Sequence, residues 1–107
     1  MYLAMNRFRI FQKYEEQFVQ VWKNRKSRLD EMDGFIEFLL LKGPVKEDTI
    51  LYSSYTSWKS KEHFDAWVGS EQFRQSHAQA KRPDPNMFAA PNELECFESV
   101  LSSPENP

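Results

Sequence analysis

The spacing of apolar residues changes period along this chain, and the order of those periods leaves few folds open. Residues 2–11 alternate, with Tyr2, Ala4, Asn6, Phe8 and Ile10 on one side and Leu3, Met5, Arg7, Arg9 and Phe11 on the other, as in a strand. From about Lys13 the spacing lengthens. Tyr14, Phe18, Val21, Trp22 and Leu29 recur at three, four and seven residues between charges, which predicts an amphipathic helix ending before Asp33-Gly34. Residues 35–42 predict a second strand closed by a Gly43-Pro44 turn, and residues 49–58, rich in β-branched and aromatic side chains, a third. Ser60 is placed to cap a short helix carrying Phe64, Trp67 and Val68. Gly69 breaks that helix, and Ser70 can cap another with Phe73, Arg74 and His77. Pro83, Pro85 and Pro91 make residues 82–92 a loop, residues 94–101 alternate as a last strand, and residues 102–107 form a polar tail expected to be disordered.

Strand, helix, strand, strand, helix pair, strand is the split βαβ order of a ferredoxin-like α+β domain with an antiparallel sheet. With 107 residues the chain can bury one modest core, so residues 1–101 are expected to form one domain. No run of about 18 apolar residues occurs, which argues against a membrane-spanning helix and for a cytoplasmic protein. A net charge of -2 without a long basic run argues against nucleic acid or a membrane surface as partner. Cys96 is the single cysteine, so neither an internal disulfide nor a cysteine-built zinc cage can form. Helices in this order cover one sheet face. The other face would display aromatic and aliphatic side chains, in a chain with 15% aromatic residues, and a homodimer joined through its sheets is the economical way to cover them.

No phosphate loop, dinucleotide fingerprint, nucleophile elbow or H-E-x-x-H motif is present. His63, beside Glu62 early in the short helix, reads as a solvated surface residue. His77 lies four residues after Phe73, on the same helix side; it is either packed and hydrogen-bonded in the core or a ligand. One imidazole without a second histidine at ligand spacing does not suit zinc, but haem iron needs a single axial protein ligand. Asn6 interrupts an otherwise apolar strand face. It either bonds to nearby backbone or water, or points an amide donor into an apolar pocket. Trp67 on its short helix and Trp58 at the end of the third strand are most simply core.

The segment from Trp58 through Ser60, Phe64 and Trp67, written W-x-S-x-x-x-F-x-x-W, runs on through Phe73 to His77 and, with Ala4-Met5-Asn6-Arg7, resembles the IsdG-type haem-degrading monooxygenases. These belong to the antibiotic-biosynthesis-monooxygenase superfamily of dimeric α+β barrels. The resemblance implies that His77 is the axial ligand of haem iron, that Asn6 is the distal amide donor, and that Trp67 presses on the porphyrin and buckles it. It implies a haem oxygenase that opens its own bound haem, with haem as substrate and cofactor, O2 and an external electron donor consumed, an unidentified reductase as partner, and iron released. Arg74, Lys81 and Arg82 lie near His77 in sequence and could pair with the propionates. A cofactor-independent monooxygenase of the same superfamily and a non-enzymatic haem-binding dimer are the alternatives.

Overall fold

The computed structural model describes residues 1–25, 27–79 and 84–104. Four strands, β1 (Tyr2–Phe11), β2 (Phe35–Lys46), β3 (Thr49–Trp58) and β4 (Glu93–Glu98), form one antiparallel sheet in the order β2-β3-β1-β4. Helices α1 (Glu15–Lys23), α2 (Lys61–Val68) and α3 (Glu71–Gln79) complete the ferredoxin-like α+β fold. No helix among the described residues is long and apolar enough to cross a membrane.

Register decides which side chains share a face. Ile10 pairs with Ile50, Phe8 with Tyr52, Asn6 with Ser54, Ala4 with Thr56 and Tyr2 with Trp58, so all ten point towards the helices. Two clusters of core residues sit on this face. One joins Ile10, Ile50 and Tyr52 to Phe18 of α1 and to Met87; the other joins Trp58 to Leu29 and to Trp67 of α2. The opposite face, with Met5, Leu39, Leu41, Leu51 and Phe97, carries no helix, and Leu39, Leu41 and Phe97 are exposed.

The helix expected to include Leu29 stops at Lys23. The Asn24 N–H closes it on the Gln20 carbonyl and the Arg25 N–H on the Trp22 carbonyl, and the polar run after it has no apolar residue to hold a helix on the sheet. Leu29 instead reaches the core from a separate 3-10 turn, Leu29–Glu31. Gly34 has the expected positive φ, +80°, although it closes this turn and not α1; a Cβ there would fall 2.2 Å from Cγ of His63. Strand β2 passes through Gly43-Pro44 and does not turn there. It is an edge strand with a register shift between Lys42 and Val45, so the missing proline N–H costs no ladder bond, and the chain turns later at Glu47, where φ is 57°. The last strand ends at Glu98 because its partner β1 begins opposite it, at Tyr2. Within the proline-rich loop a 3-10 turn, Pro85–Met87, is capped by Asp84 and sends Met87 into the core.

Candidate functional site

Between the two core clusters, the helix side of the sheet is floored by small or polar side chains: Ala4, Asn6, Ser54 and Thr56. Asn6, Ser54 and Thr56 remain partly exposed there, although their neighbours Ile10, Tyr52 and Trp58 are buried. These floor residues form a shallow slot between the core cluster packed under α1 and the one packed under α2. Trp22 of α1, stacked on Phe38 at 5.7 Å and edge-on to Phe8 at 5.8 Å, forms the first border. The Arg25 guanidinium lies over this indole, 4.7 Å from the ring. Burial lowers the Arg25 pKa, and no carboxylate among the described residues offsets it.

Trp58 and Trp67 make the second border. Trp58 is fully buried, and its Nε1–H donates to Thr56 Oγ1 at 3.0 Å, which ties the border to the floor. Trp67, 7% exposed, stacks on Trp58 and meets Phe73 edge-on at 5.3 Å. Ser70 joins the two helices at this point: its hydroxyl donates to the Trp67 carbonyl at 2.7 Å and accepts from the Phe73 N–H at 3.0 Å. Phe73 in turn carries the His77 ring at 4.0 Å between centroids.

His77 is exposed, so it is not the packed core residue that its spacing allowed. Its Nδ1 lies 2.8 Å from the Phe73 carbonyl oxygen. A carbonyl only accepts, so Nδ1 carries a proton; in the neutral ring this leaves the lone pair on Nε2, the tautomer of a metal-binding histidine whose other nitrogen is anchored on backbone. His63 corrects the expectation of a solvated residue. It is half-buried against Gly34, with Nδ1 2.6 Å from Ser60 Oγ and Nε2 3.6 Å from the Asp33 carboxylate.

Asn6 rises from the floor of the slot. Its Oδ1 accepts a hydrogen bond from Nδ2 of Asn92 at 2.9 Å. The structure therefore joins Trp67 and His77 through Phe73 and sets Asn6 apart on the sheet, with no direct contact between Asn6 and His77 among the described residues. Arg74 is exposed and paired with Glu71; Lys81 and Arg82 lie outside the described residues. Sequence reasoning missed Arg25 and Asn92. Arg25 follows Trp22 at helical spacing, a usable signal. For Asn92 the only cue was its place after Pro91, at the entry to a strand that pairs with the one holding Asn6.

The family model for antibiotic biosynthesis monooxygenase matches residues 1–79, well over half of the chain. Among solved structures, a Bacillus cereus protein bearing the same family name superposes with a TM-score of 0.81 at 18% identity, covering 100% of this chain and 98% of its own. Two structures of the haem degrader MhuD from Mycobacterium tuberculosis are similar at 24% and 26% identity, with TM-scores of 0.70 and 0.73, covering 95% of this chain and 98% and 97% of theirs. They hold two haems in the active site and two manganese protoporphyrins per active site, respectively. SnoaB from Streptomyces nogalater, a cofactor-independent oxygenase, matches at 17% identity with a TM-score of 0.61, covering 97% of each chain.

Proposed function

The chain belongs to the antibiotic biosynthesis monooxygenase family, and from that premise we propose that it is a haem-degrading oxygenase. Haem is both its bound group and its substrate, opened with O2 and electrons from an external donor so that iron is released. The observation that carries this reading is His77, exposed beside an aromatic border, with Nδ1 held by the Phe73 carbonyl and no partner on Nε2 among the described residues. An imidazole held through Nδ1 presents Nε2 as an iron ligand would. The slot suits a flat apolar disc, since its floor is made of small residues and both borders are made of rings.

Bound haem supplies the iron centre at which O2 is activated. The chain's own residues bind and orient it. His77 Nε2 would hold the iron. Asn6 offers the amide donor from the sheet. Trp67, backed by Trp58 and Phe73, is an indole with little freedom to retreat, so a ring seated against it would be the partner that bends. Arg25, over the Trp22 indole and without a carboxylate partner among the described residues, would offer its charge to a propionate. The uncovered sheet face is the surface for a second copy, in the manner of a dimeric α+β barrel, and electrons come from a separate reductase.

Titration with hemin followed by ascorbate in air tests the reading. We expect a Soret band that shifts on binding and then decays as iron is released. A band that forms and survives reductant would make the protein a haem carrier, and no band at all would leave a cofactor-independent oxygenase.

A further inference from the structure

We propose that Asn92 is a positioning residue that sets which end of the Asn6 carboxamide faces the slot; this rests on the reading of Asn6 as an amide donor to a haem-bound site. The two ends of a carboxamide are nearly equal in size, so packing cannot choose between them, and hydrogen bonds must. Asn92 Nδ2 donates to Asn6 Oδ1 at 2.9 Å, which occupies the acceptor end, and the Asn6 NH2 group has no partner among the described residues. The contact follows from register. Asn6 pairs with Leu94, and Asn92 lies two residues before Leu94, so it is the diagonal neighbour of Asn6 on the same sheet face, just outside the end of β4. Pro91 restricts the backbone immediately before it.

Without Asn92 the amide can turn over, and only the fraction with NH2 inward is competent. Asn92→Ala should therefore lower turnover by about twofold if both orientations are then equally populated, with haem affinity retained. Asn92→Asp is the sharper change. Its carboxylate accepts only, so it draws the Asn6 NH2 outward and turns Oδ1 into the slot. Turnover should then fall towards that of Asn6→Ala, roughly a hundredfold or more below the native protein. Mild acid, which gives the Asn92→Asp side chain an O–H to donate, should move it back towards native behaviour.

Two further readouts separate orientation from activity. In the haem-free protein labelled with 15N, the Asn6 side-chain NH2 signal should move downfield in Asn92→Asp as one proton bonds the carboxylate. In the ferrous haem complex with carbon monoxide, a donor facing the ligand lowers the C–O stretching frequency and a lone pair raises it, so Asn92→Asp should raise it above the native value. An unmoved Asn6 NH2 signal, or equal C–O frequencies in the native and Asn92→Asp proteins, would overturn the assignment. Failure of the native protein to bind hemin would count against the haem reading alone, and the NH2 signal would still decide the orientation. Asn92 is exposed, so its variants are expected to fold; the Asn92→Ala turnover provides a second arm if Asn92→Asp does not.

Discussion

The two histidines of the chain differ in what their ring nitrogens do. His63 uses both, one towards Ser60 and one towards Asp33, while among the described residues His77 uses Nδ1 alone. His77→Ala is therefore expected to remove the axial-ligand signature from the hemin spectrum and abolish turnover. His63→Ala should leave that spectrum intact and lower stability by about 1 kcal/mol, since the ring packs on Gly34 and supports the cap of α2. A lost spectrum in His63→Ala with a normal one in His77→Ala would reverse the assignment. Trp67 needs a different comparison, because the structure places it deep in the second core cluster. Trp67→Phe should lower stability by about 1–2 kcal/mol whatever else it does. If the indole also strains the porphyrin, single-turnover rates per folded molecule fall as well, whereas Trp58→Phe, at a fully buried ring, lowers stability only. Equal rates in both variants would return Trp67 to packing. At this scale the sequence singles out Asn6, Trp67 and His77 as candidates, through a resemblance in spacing. It was silent on tautomer and amide orientation, because both depend on a partner's position, Phe73 O or Asn92 Nδ2, and not on the residue itself.

Among elements, strands β1 and β3 could be read to their ends because alternation and burial coincide along them, with Ile10, Ile50, Tyr52 and Trp58 all inward. Where local chemistry and tertiary context disagreed, context prevailed. Gly43-Pro44 looks like a turn, yet an edge strand with a bulge accommodates it; Leu29 fits the helical period, yet Asn24 ends the helix before it. Gly34 shows the opposite case, a glycine required by both its φ and its neighbour. Gly34→Ala should cost on the order of 3 kcal/mol, from an unfavourable φ and overpacking together. Adding His63→Ala should recover part of that loss, seen as a less than additive change in urea midpoint. The start of α1 is tied to the sheet by Glu15, whose Oε2 accepts from Lys42 Nζ at 2.8 Å and from the Tyr52 hydroxyl at 2.6 Å. The Lys42 bond first, and the Tyr52 bond after it, hold the Glu15 pKa below its ordinary value. A depressed carboxylate pKa stabilises above the unfolded value and loses its contribution as pH falls through the folded one. Burial, then Glu15, pushes Tyr52 up to about 12, so its contribution is complete below the ordinary tyrosine value and is lost as pH rises towards that figure. Glu15→Gln should therefore flatten the acid limb of stability against pH, with little difference from the native protein at the lowest pH. An unchanged limb would mean that other carboxylates dominate it.

For the whole molecule, the two faces of the sheet separate two kinds of partner. The helix side holds the slot, and the bare side holds Met5, Leu39, Leu41, Leu51 and Phe97, with Leu39 at 42% and Phe97 at 49% exposure. Ser57, on the same bare face, is only 1% exposed and its Oγ has no hydrogen-bond partner among the described residues, so this surface is already partly dry in a single chain. An apolar sheet face of this kind is a liability alone and an interface in pairs. We expect a homodimer at micromolar concentration, burying on the order of 1,600 Å² or more in total. The ion pair between Arg7 and Glu95 lies on the same face, where it can contribute register more than affinity. Replacing Leu41 on this face, as Leu41→Arg, should bring an unpaired charge into the interface and give a monomer by sedimentation. Because Leu41 and Asn6 point to opposite sides of the sheet, that monomer should still give the hemin band, shifted in affinity by less than about tenfold, while His77→Ala should still sediment as a dimer. A native chain that sediments as a monomer at micromolar concentration would remove the second copy from this face, and loss of haem binding together with dimerisation in Leu41→Arg would mean that the slot is completed by the partner.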